Sequence, residues 1–243
     1  YDGIVLANSK AAPEMNITLE QIYKALAKDL PDGQGGFQRN PNQKWSDVDP
    51  SLPNVKIEVL GPPPTSGTRD SFHELFLEEG AEAFDSLKAM KKKDEEAKTK
   101  DFEKVWKSIR KDGAYVEAGE NDNVIVQKLE GNKNAFGIFG YSFLEENADK
   151  LTGVAIEGAE PTFENISGGK YKGARPLFVY FKKAHIGVIP GLDKFIAEYT
   201  SEKALGAEGY LTEKGLVALP KEAFEQSAKA ANEGVALKAD ELK

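Results

Sequence analysis

The stretch that decides the fold is residues 55–80, VKIEVLGPPPTSGTRDSFHELFLEEG. Its apolar residues Val55, Ile57 and Val59 alternate with charged ones, and a period of two is typical of a half-buried strand. The prolines at 62–64 must end that strand, because proline has no amide hydrogen to donate to a neighbouring strand. We therefore predict a strand that runs through Val59 and is followed by a loop.

The second half of the stretch changes to a helical period. Phe72, Leu75 and Phe76 are spaced i, i+3 and i+4, so they would share one face of a helix. We predict that this helix begins near Ser71 and that Gly80 is a plausible end. The stretch as a whole then has the order strand, loop, helix.

The loop between them, Thr65-Ser66-Gly67-Thr68-Arg69-Asp70, has the composition of an anion site. Hydroxyls, a glycine and one guanidinium lie where a helix begins, and exposed amide hydrogens and the helix dipole favour an anion there. Arg69 could donate a bidentate pair of hydrogen bonds to an oxyanion. The alternative is that Thr65 or Ser66 only caps the helix, which such residues do routinely. On this loop alone both interpretations stay open.

The rest of the chain also alternates between strand and helix patterns, which is typical of an α/β protein. Residues 1–8 are predicted as a buried strand, and Thr18 with Gln21 has the spacing of a capping box at a helix start. Residues 31–43 are rich in Gly, Pro and Asn and are predicted as a loop. The other predicted strands are 134–141, 154–157 and 177–181, and the other predicted helices are 102–109, 121–129, 192–199 and 221–232.

Composition excludes several kinds of protein. The 243 residues carry a net charge of −8, which argues against a broad nucleic-acid or anionic-membrane surface. The chain has no cysteine, so it has neither disulfides nor thiolate metal sites. Its only histidines, His73 and His185, are too few for a zinc cluster. We expect no metal and no cofactor, and we expect His73 to lie at the surface.

Catalytic motifs are absent as well. There is no P-loop, Ser66 lacks the G-x-S-x-G elbow of hydrolases, and no pair of carboxylates stands out for acid–base chemistry. The sequence therefore favours a binding protein without catalytic residues. A secreted serine-type hydrolase that uses Ser66 is the alternative from another class.

Four blocks of sequence, in one order over nearly the whole chain, carry a resemblance to a known family. They are residues 3–8 with 16–22 and 44–47; residues 61–72; residues 122–141; and residues 175–180 through 209–216. In these blocks the chain resembles the phosphate-binding proteins of bacterial phosphate ABC transporters.

The resemblance implies a periplasmic-binding-protein type II-like fold, in which two α/β lobes are joined by hinge strands and phosphate is dehydrated in the cleft. Residues 1–176 would form the second lobe, which carries the anion loop at 61–71. Residues 177–243 would contain the return hinge strand and the C-terminal part of the first lobe. The chain starts inside a strand pattern and without a signal peptide, so we expect the first lobe to be incomplete in it.

The resemblance also implies the ligands. The family's Ser-Gly-Thr donates hydroxyl and amide hydrogens to phosphate, and it falls here on Ser66, Gly67 and Thr68. Many members have an arginine and an aspartate where this chain has Pro62 and Pro64, so Arg69 is our candidate for the missing charge. The expected partners are inorganic phosphate and the membrane permease subunits of the transporter, in the periplasm, without nucleic acid. Two alternatives to phosphate binding stay open: the chain binds another tetrahedral oxyanion, or it is a folded scaffold that has lost binding.

Overall fold

A mixed sheet organises the molecule. The computed structural model describes residues 1–119 and 121–238. The main sheet has the strand order β10-β1-β7-β5-β6, and β8 pairs with β1 as well. The strands are β1 (Asp2–Ser9), β2 (Asn16–Ile17), β3 (Asp29–Pro31), β4 (Phe37–Arg39), β5 (Val59–Gly61), β6 (Tyr115–Glu117), β7 (Phe136–Gly140), β8 (Leu151–Gly153), β9 (Ala155–Ile156) and β10 (Ala174–Arg175).

Helices cover the sheet and extend beyond it. The helices are α1 (Leu19–Leu26), α2 (Trp45–Val48), α3 (Gly67–Phe72), α4 (Glu79–Ala81), α5 (Asp85–Ala97), α6 (Asp101–Trp106), α7 (Asp122–Gly131), α8 (Tyr141–Glu146), α9 (Phe163–Ser167), α10 (Leu192–Tyr199), α11 (Glu202–Leu205) and α12 (Lys221–Asn232). None of those in the described residues is long and apolar enough to cross a membrane. Alternating strands and helices of this kind confirm the predicted α/β class.

Strand β1 lies inside the sheet with strands on both sides, as its apolar run predicts. It pairs antiparallel with β7 along one edge and with β10 and β8 along the other. Residues 3–9 are all buried. Helix α1 follows with the predicted capping box: the Thr18 hydroxyl accepts the amide hydrogen of Gln21, and the Gln21 side chain accepts that of Thr18.

The strand predicted over residues 55–59 is wrong in its start, because β5 begins only at Val59. The preceding residues pair elsewhere: Trp45 donates its amide hydrogen to Val55 at 3.0 Å, and Ile57 donates to Gln43 at 2.9 Å. The apolar alternation is therefore real, but it packs residues 55–57 against the segment before α2 rather than extending the main sheet. The prediction of residues 31–43 as a loop is also wrong in part, because most of the hairpin formed by β3 and β4 lies in this range.

The helix after the loop starts earlier than predicted. Ser66 is its N-cap, so α3 begins at Gly67, and the chain stays helical through a π-helical segment, His73–Glu78, into α4. Gly80 lies inside α4 because α1 is close: a Cβ at Gly80 would be 2.3 Å from the backbone oxygen of Leu19. This glycine permits close helix packing and does not end the helix.

The predicted strand at 177–181 is wrong. Residues 176–182 have no assigned helix or strand, and Leu177, Phe178, Val179 and Tyr180 are each 47–57% exposed. Apolar composition favours a strand, but a strand needs a neighbour to pair with, and none of the described residues supplies one. Helix α10 does form as predicted, yet Phe195 on it remains 54% exposed.

Candidate oxyanion-binding site at the carboxyl edge of the sheet

The parallel part of the sheet brings three helix starts to one edge. Strand β5 is parallel to both β6 and β7, so the carboxyl ends of the three strands lie together. They lead into α3, α7 and α8 respectively. In open α/β sheets ligands bind in the crevice outside such strand ends. This edge therefore positions the loop that the sequence marks as an anion site.

Ser66 caps α3 in the way that the plain interpretation of the loop predicts. Its backbone is extended, with φ −90° and ψ 133°, and its Oγ accepts the amide hydrogen of Thr68 at 3.2 Å. The amide of Ser66 itself donates to the carbonyl of Pro63 at 3.0 Å. A cap of this kind orders the helix start and leaves the hydroxyl hydrogen of Ser66 free to be donated elsewhere.

Gly67 is the open point of the loop. It is exposed, and a Cβ built on it would meet nothing within 4 Å. Neighbouring Ser66 and Thr68 are partly exposed. The first turn of α3 is therefore accessible from solvent on the side where its amide hydrogens begin, and an anion could approach it there.

Arg69 turns inward behind this turn. Its side chain is 7% exposed. Its Nε donates to Nε2 of His73 at 2.6 Å, and NH1 donates to the carbonyl of Pro62 at 3.0 Å. The guanidinium carbon lies 4.3 Å from the centre of the Tyr115 ring. The structure thus brings Arg69 to the loop, with its guanidinium under the loop and fixed by protein groups.

Pro62 and Tyr115 complete the floor of the site. The Tyr115 hydroxyl donates to the same Pro62 carbonyl at 2.8 Å, and burial raises the pKa of Tyr115 to about 12. A Cβ at Gly61 would be 2.2 Å from the Tyr115 hydroxyl oxygen, so only glycine fits there. Tyr115 supports the loop, and no local pattern predicts this contact because Tyr115 lies 54 residues after Gly61 along the chain.

The expectation that His73 lies at the surface is wrong, because its side chain is 8% exposed. Its ring makes edge contacts with Trp106, 6.3 Å between centroids, and with Phe72 at 6.5 Å. Burial, and then the positive charges of Arg69 and Lys107, lower the pKa of His73 to about 4. The imidazole is therefore neutral near pH 7, with its proton on Nδ1, since Nε2 accepts from Arg69.

A carboxylate at the same edge was not singled out by sequence reasoning. Burial raises the pKa of Asp122, while the backbone amide of Gly140 acts in the opposite direction. That amide lies at the carboxyl end of β7, so Asp122 is next to the strand that neighbours β5. Its only sequence signal is its place just after Asn121, whose side chain caps α7.

Parallel strands with helix starts at one edge are typical of α/β proteins that bind a ligand beyond the strand ends. The family model described as "PBP superfamily domain" matches residues 1–203. The chain belongs to this family, which comprises solute-binding proteins rather than enzymes. The predicted binding-protein fold class is therefore confirmed.

Similar proteins are phosphate-binding proteins by name. "Phosphate-binding protein PstS" of Staphylococcus haemolyticus is 30% identical over 233 residues, which cover 94% of this chain and 59% of that protein. The protein of the same name in Staphylococcus saprophyticus is 28% identical over 234 residues, with the same shares. This chain therefore spans about 59% of the length of these relatives.

Solved structures give the same fold. A possible phosphate binding protein from Planctomyces limnophilus superimposes with a TM-score of 0.66 at 26% identity, over 97% of this chain and 70% of that one. An ABC-type phosphate transport receptor from Vibrio cholerae has a TM-score of 0.55 at 20% identity, over 90% and 70%. The second likeness concerns the fold alone.

Proposed function

We propose that this chain binds inorganic phosphate as the substrate-binding component of a phosphate ABC transporter and delivers it to the membrane permease subunits. The observation that carries the proposal is the accessible start of α3 at the carboxyl edge of the sheet, with a buried guanidinium behind it. The names of similar proteins support phosphate as the oxyanion. The place of action is outside the cytoplasmic membrane, in the periplasm.

Each residue of the loop has a role in this proposal. The Ser66 and Thr68 hydroxyls donate hydrogen bonds to phosphate oxygens, and Gly67 donates through its amide. Arg69 supplies the positive charge. Every hydrogen bond to phosphate has a charged acceptor and contributes about 1.5–3 kcal/mol, and Arg69 also adds a full positive charge to the site, so we expect Arg69 to make the strongest single contribution.

The division into lobes is part of the same proposal. Residues 1–176 form the lobe that carries the loop, and residues 177–243 contain the return hinge and part of the other lobe. All strands of the main sheet end by Arg175, which supports a boundary there. Phosphate held between two lobes would receive its remaining hydrogen bonds from the other one.

The geometry favours binding over the hydrolase alternative. A serine nucleophile needs a general base within hydrogen-bonding distance. In the described residues no histidine bonds to Ser66: Nε2 of His73 is occupied by Arg69. We therefore propose that the site has no catalytic residue.

Calorimetric titration of the protein at its full natural length tests the proposal. We expect heat on addition of phosphate and weaker binding of sulfate, because an acceptor that only a protonated oxyanion satisfies would stay unpaired with sulfate. An absence of heat with phosphate, or tighter binding of sulfate, would refute it. Labelling by a fluorophosphonate probe that disappears in Ser66→Ala would instead support the hydrolase.

A further inference from the structure

We propose that His73 is a positioning residue of the oxyanion site: it holds the Arg69 guanidinium with a neutral acceptor, so that the bound oxyanion itself becomes the counter-charge of the arginine. This inference rests on the proposed function and assigns a role to a residue outside the Ser66–Arg69 loop. It also gives a reason for an imidazole, rather than a carboxylate, at this position.

The chain contains two buried arginines, and they differ in their partners. Arg110 is 1% exposed and is bonded by Asp112, with Nε to Oδ1 at 2.8 Å and NH2 to Oδ2 at 2.6 Å. Arg69 is 7% exposed, and it contacts the His73 imidazole, the Pro62 carbonyl and the Tyr115 ring. Among residues 1–119 and 121–238, no carboxylate forms an ion pair with it. A buried charge without an opposite charge is costly, which points to a counter-ion from outside the chain.

Carboxylates near Arg69 in sequence do not take that role. Asp70 follows it directly but is exposed, and Glu74 lies one turn further on, 3.9 Å from NH1 of Arg175. Glu117 lies close enough to Tyr115 to act on its hydroxyl, but forms no ion pair with Arg69 in the described part of the chain. The positive charge under the loop is therefore not cancelled by a direct contact.

The charge lies where an oxyanion could use it. Arg69 belongs to the first turn of α3, whose outer side is open at Gly67. The positive end of the helix dipole acts at the same place and with the same sign. A phosphate at this turn would interact favourably with both, even without touching the guanidinium.

His73 suits this role because it accepts a hydrogen bond without adding charge. It is one helical turn after Arg69, at i+4, and the 2.6 Å bond joins Arg69 Nε to its Nε2. Burial and the nearby positive charges of Arg69 and Lys107 keep the imidazole neutral. Contact with Trp106 holds the ring in place. A carboxylate here would fix the guanidinium equally well, but it would also neutralise it.

Three substitutions at one position separate these effects. His73→Gln keeps a neutral acceptor, His73→Leu removes the acceptor, and His73→Glu supplies a carboxylate. His185→Glu is the matched control, because it makes the same change of charge at an exposed histidine outside the loop and its floor. Phosphate affinity is measured by calorimetric titration of the full-length protein, and the melting temperature is measured in parallel without phosphate.

We expect His73→Gln to bind phosphate within about threefold of the wild type. His73→Glu should bind at least about tenfold more weakly, because a negative charge paired with Arg69 beneath the loop opposes binding of the anion at the effective dielectric near a protein surface. Its melting temperature should not fall, since Glu pairs with Arg69. His73→Leu should lose affinity and melting temperature together, and His185→Glu should change neither by a comparable amount.

The outcomes are distinguishable from a failure of the proposed function. A wild-type protein that binds no oxyanion overturns both proposals. Tight phosphate binding by the wild type with an unchanged affinity in His73→Glu overturns the role of His73 alone. The role of His73 is also overturned if the affinity of His73→Glu falls only in proportion to its melting temperature. It is likewise overturned if His185→Glu weakens phosphate binding as much as His73→Glu does.

Discussion

Substitution of Gly67 by alanine tests the anion site with little disturbance of the fold. A Cβ at this position meets nothing within 4 Å, so the protein itself has room for the methyl group. Every Cα–Cβ bond of a helix tilts toward its N-terminus, so this methyl group would point to the place where an anion approaches the first turn. We therefore expect Gly67→Ala to weaken phosphate binding and to leave the fold intact.

The magnitudes can be worked out separately for stability and for binding. Alanine is favoured over glycine in a helix by about 0.5–1 kcal/mol, so the melting temperature should stay level or rise slightly. Loss of one hydrogen bond between the Gly67 amide and a charged oxyanion costs about 1.5–3 kcal/mol, which corresponds to a dissociation constant at least about tenfold higher. Differential scanning calorimetry and titration with phosphate measure the two effects on one preparation.

Gly80→Ala is the matched control in the same helical stretch. There a Cβ would be 2.3 Å from the backbone oxygen of Leu19 and 2.9 Å from Cβ of Tyr23, so α1 and α4 would have to separate. Overpacking typically costs about 1–3 kcal/mol, or roughly 2–12 °C of melting temperature for a chain of this size. If Gly67→Ala were less stable than the wild type, the methyl group would not fit at the loop, contrary to the open space around Gly67. Unchanged phosphate affinity in Gly67→Ala would mean that the anion does not approach the first turn of α3.

Two further predictions concern Arg69 and His73. Arg69→Ala should weaken phosphate binding more than Thr68→Ala. Thr68→Ala removes one hydrogen bond to a charged acceptor, which is worth about 1.5–3 kcal/mol or roughly 10–150-fold, whereas Arg69→Ala removes a full positive charge beneath the anion. The same titrations decide the order, and the reverse order would mean that the guanidinium does not act on the anion. The pKa of His73 is lowered in the folded protein to about 4, so the unfolded state binds the proton more readily and stability should fall as the pH drops from about 6.5 to about 4. At about 1.4 kcal/mol per pKa unit, the loss in the free energy of unfolding approaches 3 kcal/mol. Urea unfolding at pH 7 and pH 4.5 measures this loss, and His73→Gln should lack the contribution of His73. Equal losses in the wild type and in His73→Gln would contradict the lowered pKa of His73.

The elements that sequence predicts well are those with local causes. The capping box of Thr18 and Gln21 lies within one turn, and the buried run of β1 follows from its own composition. The loop between β5 and α3 is also local, since the prolines and Ser66 fix both of its ends. These residues therefore give the family, the fold class and the position of the candidate site.

The errors arise where a distant segment decides the structure. Val55 and Ile57 pair with Trp45 and Gln43 at the start of α2, and Gly80 is required by the backbone of Leu19 some 60 residues earlier. His73 is buried under Trp106 of α6, a contact that no local pattern predicts. The i, i+4 spacing of Arg69 and His73 was visible in the sequence, and it is the signal that would have linked the two residues.

The net charge of −8 is no obstacle to an anion site of this kind. Interactions between exposed charges are largely screened beyond about 8–10 Å at physiological salt, whereas buried groups are screened much less. Asp70 and Glu74 are exposed to solvent, which weakens their effect on an anion at the loop, whereas the buried guanidinium of Arg69 acts through less solvent. The charge of the ligand that a site binds therefore depends on the buried charges that have no opposite charge within the protein. For this chain that criterion selects the helix start at Ser66–Thr68, where donors face outward and the arginine behind them is held by a neutral histidine.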